Sequence, residues 1–217
     1  MVFDSFYPGP NLEIYQSLRT NVQKLLWIAG TKGSGKTHLL QAAFHRCIRL
    51  SRKSLYIPMY EFDQFSPEIL DDLDQLDLIC IDDIEFILGN QAWERKLLDL
   101  YERLQTTDCH LVIASHEPPK GINFFLPDLA SRFSMSVVHQ LEMLSETEMI
   151  SAIQLHANIR GFNLPNDSAN YLLKRVERSV GSLMEIIKIL DYESLSKQRK
   201  LTVPFIKNIL HLGNKDQ

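Results

Sequence analysis

The chain has 217 residues, 45% of them hydrophobic and 23% charged, which is typical of one globular domain or of a core domain with a small second domain. No run approaches the roughly 18 consecutive apolar residues of a membrane span, and the first residues lack the pattern of a signal peptide. The formal net charge of −4 argues against a nucleic-acid clamp, because such a clamp needs basic groups to neutralise phosphates.

The first part of the chain alternates short apolar runs with helical patterns, which is typical of parallel strands joined by crossover helices. The predicted strands are 25–29, 54–58, 77–81, 110–114 and 135–139. The predicted helices between them are 36–51, 66–74, 91–105 and 127–132.

The strand patterns stop near residue 140, and four helical patterns follow. Ser145 and Glu148 have the spacing of a capping box at the start of the first helix, and Asn166 or Asp167 can cap the second. Pro204 sits in the first turn of the fourth. The apolar stripes of the second and third helices are Leu172, Leu173 and Val176, then Leu183, Ile186, Ile187 and Leu190. We predict an α/β domain over residues 1–139, with a parallel sheet flanked by helices, and a small all-helical domain over 140–217.

A glycine-rich loop follows the first predicted strand and matches the pattern G-x-x-x-x-G-K-[ST] in full. Its backbone N–H groups can turn inward towards one anion, and the following helix adds its positive end. The lysine is expected to reach the outer phosphates and the threonine hydroxyl to bind Mg²⁺. The candidate nucleotide-binding residues of this stretch are Gly30, Thr31, Lys32, Gly33, Ser34, Gly35, Lys36, Thr37 and His38.

Two carboxylates end the third predicted strand. Asp82 is placed to hold the Mg²⁺ shell together with Thr37, and Asp83 stands where many ATPases have a glutamate that polarises the attacking water. A pair of aspartates at a strand end is also a common solvated feature. Its spacing after the phosphate loop favours the magnesium interpretation.

Ser115 and Arg132 are two further candidates. Ser115 follows an apolar strand, where it could sense the outermost phosphate or be an ordinary strand-end serine. Arg132 ends a short helix between apolar Leu129 and Phe133. From the residues alone, it is either a surface arginine or a finger that neutralises charge on a neighbour's nucleotide.

The order of these motifs resembles the AAA+ ATPases of the DnaA group, and the resemblance covers almost the whole chain. The strings that carry it are "FDSFYPGPN" (3–11), "LPDLASRF" (126–133), "RGFNLPNDSANYLLKRV" (160–176) and "QRKLTVPFIKNIL" (198–210). It implies an AAA+ domain with a helical lid that binds ADP or ATP with Mg²⁺. It also implies that Arg132 acts in trans to promote hydrolysis of ATP held by DnaA, which prevents repeated initiation of replication. The chain's own ATPase activity is then weak at most.

The sequence departs from the family pattern at two positions near the nucleotide. Gly181 stands where the family's lid usually offers an arginine to the phosphates, so Arg175 or Arg178 would have to substitute for it. His116 follows Ser115 where DnaA-like proteins often have aspartate, so the sensor chemistry is expected to differ.

The resemblance implies DnaA as the partner, with the DNA-loaded sliding clamp and further copies of this chain as other candidates. The family's clamp-binding peptide, which resembles Q-L-x-L-P, does not precede "FDSFYPGPN", so either the sequence is truncated or the clamp is bound in another way. Only seven residues follow Leu210, so we expect no sequence-specific DNA binding through a further domain. Cys47, Cys80 and Cys109 lack metal-type spacing, and we expect buried thiols in a cytoplasmic protein without membrane contact.

Two other functions fit the phosphate loop. The first is a helicase-loader-like AAA+ ATPase that binds single-stranded DNA, but the stretch from Tyr60 to Asp77 carries seven acidic residues and no Lys or Arg. The second is a small-molecule kinase, which needs an arginine-rich lid for its acceptor. The apolar-faced bundle after residue 140 does not favour it.

Overall fold

The structure, a computed structural model, describes residues 1–20, 23–175, 180–197 and 201–210. Its chain divides into two compact units. The first contains residues 1–3 and 10–142, and the second contains residues 4–9 and 143–217. Within the described residues, every helix is too short or too polar to traverse a lipid bilayer.

The first unit is built on a sheet of five parallel strands in the order β2-β3-β4-β1-β5. The strands are β1 Leu25–Ala29, β2 Ser54–Pro58, β3 Leu78–Asp82, β4 His110–Ser115 and β5 Val137–Gln140. All five predicted strands are confirmed, and the bounds of β1 and β2 are those predicted. Since the strands are parallel, the phosphate loop after β1 and the aspartates at the end of β3 lie together at the carboxyl end of the sheet.

Four helices belong to this unit: α1 Leu12–Thr20, α2 Lys36–Arg49, α3 Gln91–Leu104 and α4 Pro127–Phe133. Helix α1 was not predicted from the sequence, and the prediction of a helix at 66–74 is wrong. The chain there makes two short 3-10 turns, Pro67–Leu70 and Leu73–Gln75. Between them Asp71 is extended and Asp72 adopts a left-handed conformation, and neither conformation can continue an α-helix.

The second unit contains α5 Glu146–Ile159, α6 Asn166–Arg175, α7 Val180–Lys197 and α8 Val203–Leu210, so the four predicted helices are confirmed. The predicted capping box of Ser145 and Glu148 is present. Asn166 lies inside α6 rather than before it, and its side-chain oxygen accepts from Gln154. Leu172, Leu173, Leu183, Ile187 and Leu190 are buried as predicted, Ile186 is half-buried, and Val176 lies outside the described residues.

A buried hydroxyl links α6 to the chain before α8. Ser168 is 1% exposed, and its Oγ donates to the backbone oxygen of Leu201 at 2.7 Å. Because Ser168→Ala leaves that buried carbonyl without its donor, we expect the free energy of unfolding to fall by about 1–2 kcal/mol in chemical denaturation. Ser151→Ala on α5 is the matched control, because its hydroxyl bonds only within its own helix and we expect little change. Equal stability of Ser168→Ala and the parent chain would contradict the assigned role of this bond.

Candidate nucleotide-binding site

The phosphate loop leaves the end of β1 and turns directly into α2. The backbone N–H of Gly30 donates to the oxygen of Ser115 at 3.1 Å, which fixes the start of the loop against the end of β4. A Cβ on Gly30 would lie 2.7 Å from the Ser34 hydroxyl, so that hydroxyl would have to move to admit any other residue. Gly35, just before α2, has φ of 103°, a conformation that glycine adopts without strain.

Lys36, in the first turn of α2, is 5% exposed and folds its ammonium back over the loop. Its Nζ donates to the oxygen of Gly30 at 2.6 Å and to that of Thr31 at 3.2 Å. Burial lowers the pKa of Lys36, while the nearby carboxylates Asp83, Glu85 and Asp82 oppose that change. The loop therefore carries a poorly hydrated cation, which suits a phosphate group.

Asp82 ends β3 and is 1% exposed. Tyr56 donates its hydroxyl to Asp82 Oδ2 at 2.8 Å, whereas Oδ1 is buried without a hydrogen-bond partner. Burial raises the pKa of Asp82, and hydrogen bonds from Tyr56 and Thr37 and the charge of Lys36 lower it. An unpaired carboxylate oxygen beside the threonine of the loop fits the hard oxygen ligands that Mg²⁺ takes.

The phosphate loop itself also contains a polar group without a hydrogen-bond partner. Among the described side chains, the Ser34 hydroxyl is buried without a hydrogen-bond partner. Buried polar groups without partners are uncommon in native proteins, so this hydroxyl calls for an explanation. A bound nucleotide phosphate would supply an acceptor, and so the residues present fit a Mg²⁺–nucleotide. Thr31, Lys32 and Gly33 are exposed at the outside of the loop.

Asp83 lies just beyond the strand in the left-handed conformation, with φ of 54°. Burial raises the pKa of Asp83, and Glu85 adds to this effect. One ligand atom from each of Asp83, Glu85 and His116 lies within 4.8 Å of the others, and His116 Nδ1 is 2.8 Å from Glu85 Oε1. Glu85, which stands two residues after Asp83, was not among the residues predicted from the sequence.

Two other predicted residues have contacts within the protein. The hydroxyl of Ser115 accepts from the indole N–H of Trp27 at 2.7 Å and donates to the oxygen of Glu117. The only proton of this hydroxyl is therefore donated within the protein, and the two hydrogen bonds together link β1 to the end of β4. His38 Nε2 lies 3.0 Å from the backbone oxygen of Val2.

Arg132 is exposed in the last turn of α4, and the residues around it are rigidly packed. Leu129 and Phe133 of the same helix have no exposed surface. The ring of Phe133 packs against Trp27, with centroids 5.5 Å apart, and also against Tyr101 and Phe124. Arg132 is therefore an exposed cation on a helix whose apolar side chains are buried.

The fold and the site define a P-loop protein of the AAA+ class. The chain belongs to the family of bacterial DnaA ATPase domains, since the model of that family matches residues 2–140. The model of the Hda lid domain matches residues 146–210. The resemblance of the sequence strings to AAA+ ATPases of the DnaA group is therefore confirmed, and the second domain is similar to the Hda lid.

Several solved structures share this fold. Domain III of the replication initiation protein DnaA from Thermotoga maritima is 22% identical, with a TM-score of 0.77 over 97% of this chain and 95% of that one. AMPPCP-bound DnaA from Aquifex aeolicus is 22% identical, with a TM-score of 0.75 over 91% of this chain and 68% of that one. The Holliday junction branch migration motor RuvB of T. maritima is 18% identical, with a TM-score of 0.69 over 94% and 67% of the two chains.

The position of Lys36 leads to a test of the nucleotide site. Because a charge-assisted hydrogen bond contributes about 1.5–3 kcal/mol, we expect Lys36→Ala to weaken ADP and ATP binding by about 10- to 100-fold in calorimetry. Lys120→Ala, an exposed lysine of the same unit, is the control. Unchanged affinity in Lys36→Ala would argue against this loop as the nucleotide site.

The raised pKa of Asp82 leads to a second test. A carboxyl whose pKa is higher in the folded chain destabilises that state when ionised, and this cost disappears as the pH falls through the folded-state value. We therefore expect Asp82→Asn to raise the Tm of the nucleotide-free chain at neutral pH and to remove the effect of Mg²⁺ on nucleotide affinity. Asp99→Asn, at an exposed site of α3, should change neither. A lower Tm together with an intact Mg²⁺ effect would overturn the assignment.

Proposed function

We propose that this chain is a regulator of bacterial replication initiation that supplies Arg132 to the ATP held by DnaA. The observation that carries the proposal is the position of Arg132. Its guanidinium is exposed on a short helix whose Leu129 and Phe133 are fully buried. A charge that is pre-positioned in this way can stabilise a transition state without reorganising. The match to the Hda lid model supports the regulatory branch of the family.

The chain's own site takes ADP or ATP with Mg²⁺ in this proposal. Lys36 and the loop N–H groups hold the phosphates, and Thr37 and Asp82 provide ligands for the metal, which neutralises phosphate charge when bound. Asp83 orients the water for slow intrinsic hydrolysis. When bound, the nucleotide would serve mainly as a signal, because hydrolysis of an ATP γ-phosphate at this site would need an arginine from another subunit.

DnaA is the proposed partner, and the protein acts in the cytoplasm, where DnaA acts. Proteins similar to Hda are tethered to the DNA-loaded sliding clamp, and we extend this tether and self-association to the present chain as proposals. Direct single-stranded DNA binding is disfavoured by charge, because the 3-10 turns between β2 and β3 expose Asp63, Glu68 and Asp72. Gly181, exposed on α7, has no charged side chain, so it cannot bind a phosphate as the family's lid arginine does.

The test is the stimulation of DnaA's ATP hydrolysis by added chain. We expect Arg132→Ala to retain nucleotide affinity and to lose stimulation by about 10³-fold or more, since arginine fingers contribute about 10³–10⁵ in rate. Arg95→Ala, which removes another exposed arginine of the same unit, is the matched control and should keep full stimulation. Full stimulation by Arg132→Ala would refute the proposal.

A further inference from the structure

Glu94, on α3, is a buried charged side chain with no assigned role in nucleotide binding. It has no exposed surface, and the other buried charged side chains of the described chain are Lys36 and Asp82, both in the nucleotide site. Burying a carboxylate is costly unless it is fully hydrogen-bonded. The hydrogen bonds that Glu94 accepts therefore indicate the role of its carboxylate.

The carboxylate of Glu94 accepts three backbone hydrogen bonds. Its Oε1 accepts from Gly89 at 2.7 Å and from Phe125 at 2.9 Å, and its Oε2 accepts from Leu126 at 2.7 Å. Gly89 lies in the turn before α3, whereas Phe125 and Leu126 lead directly into α4. One side chain thus connects the start of α3 to the start of α4.

The segment that leads into α4 is held by this external acceptor. Leu126, the residue before the helix, makes no side-chain cap, and Pro127 has no N–H to contribute. A carboxylate near the positive end of a helix is also favourable electrostatically. A helix of seven residues is too short to be stable alone, so its position depends on what holds its ends.

The two ends of α4 are held by different contacts. Glu94 holds the N-terminal end through the N–H of Leu126, and the ring of Phe133 packs against Trp27 at the C-terminal end. Arg132 lies beside Phe133 and is exposed. Without the hydrogen bonds of Glu94, only the buried side chains of Leu129 and Phe133 would hold α4, so the helix and its exposed guanidinium could shift.

We infer that Glu94 is a positioning residue for Arg132: its three backbone hydrogen bonds fix α4 so that the guanidinium is held ready for a partner's nucleotide. This inference rests on the proposed function of Arg132. Catalytic groups displaced by about 1 Å can lose about 100-fold in rate, so loss of this anchor should lower the rate at saturation. It should leave the nucleotide site of this chain unchanged, because none of the three hydrogen bonds reaches Gly30–Thr37.

The test compares Glu94→Gln with the parent chain in stimulated hydrolysis of ATP by DnaA, titrated with added chain. Whichever way the amide turns, at least one backbone N–H loses its acceptor. We expect the maximal rate to fall at least tenfold, with the half-saturating concentration and the affinity for ADP changed less than twofold. Glu94→Asp keeps the charge on a shorter arm, and its maximal rate should lie between those of the parent and Glu94→Gln. Glu102→Gln, an exposed glutamate of α3, is the control.

Either of two kinetic outcomes would overturn the inference. One is an unchanged maximal rate in Glu94→Gln, and the other is a parallel loss of ADP affinity and stimulation, which indicates a general structural role. If Glu94→Gln and Glu94→Asp do not fold, hydrogen exchange on the parent chain decides. The amides of Phe125 and Leu126 should be as protected as those of β4, and rapid exchange would overturn the inference. Arg132→Ala separates the two proposals. If this variant stimulates DnaA fully, the proposed function fails. If Arg132→Ala loses stimulation while Glu94→Gln keeps it, only the role of Glu94 fails.

Discussion

The candidate site depends on the parallel pairing of β1 with β4. Ala29 pairs with Ser115, and the next N–H, that of Gly30, donates to the Ser115 oxygen, so the phosphate loop starts where β4 ends. The Ser115 hydroxyl adds a bridge between Trp27 and Glu117. Because β3 pairs with the other side of β4, Asp82 reaches the same edge. The sheet thereby brings the ammonium of Lys36 and the carboxylate of Asp82 into one poorly hydrated site.

The buried polar groups of this candidate site reduce the stability of the fold. Burial lowers the pKa of Lys36 and raises that of Asp82, so desolvation disfavours the charged form of each group. The Asp82 Oδ1 and the Ser34 hydroxyl are buried without partners, which adds to the cost. A magnesium nucleotide would offset these costs, and this explains why nucleotide binding and folding should be coupled. Glu94 differs, since its three hydrogen bonds compensate its burial within the protein.

The sequence predicted those elements whose signals are local. The loop from Gly30 to Thr37 is recognisable from its residues, and apolar runs located the strands. The helix predicted at 66–74 failed because Pro67 and the aspartates around Asp72 favour turns, which a count of apolar positions does not register. Strand order has no local signal. Glu94 was missed because a glutamate on a helix normally faces solvent, and its partners at α4 lie 31 and 32 positions away.

The proposed regulatory role rests on Arg132, an exposed cation on a helix whose Leu129 and Phe133 are buried. The most direct measurement is a structure of this chain in complex with DnaA and a non-hydrolysable ATP analogue. The account predicts that the guanidinium of Arg132 lies within hydrogen-bonding distance, about 3 Å, of the γ-phosphate bound by DnaA. A complex in which Arg132 remains in solvent, remote from that nucleotide, would contradict it.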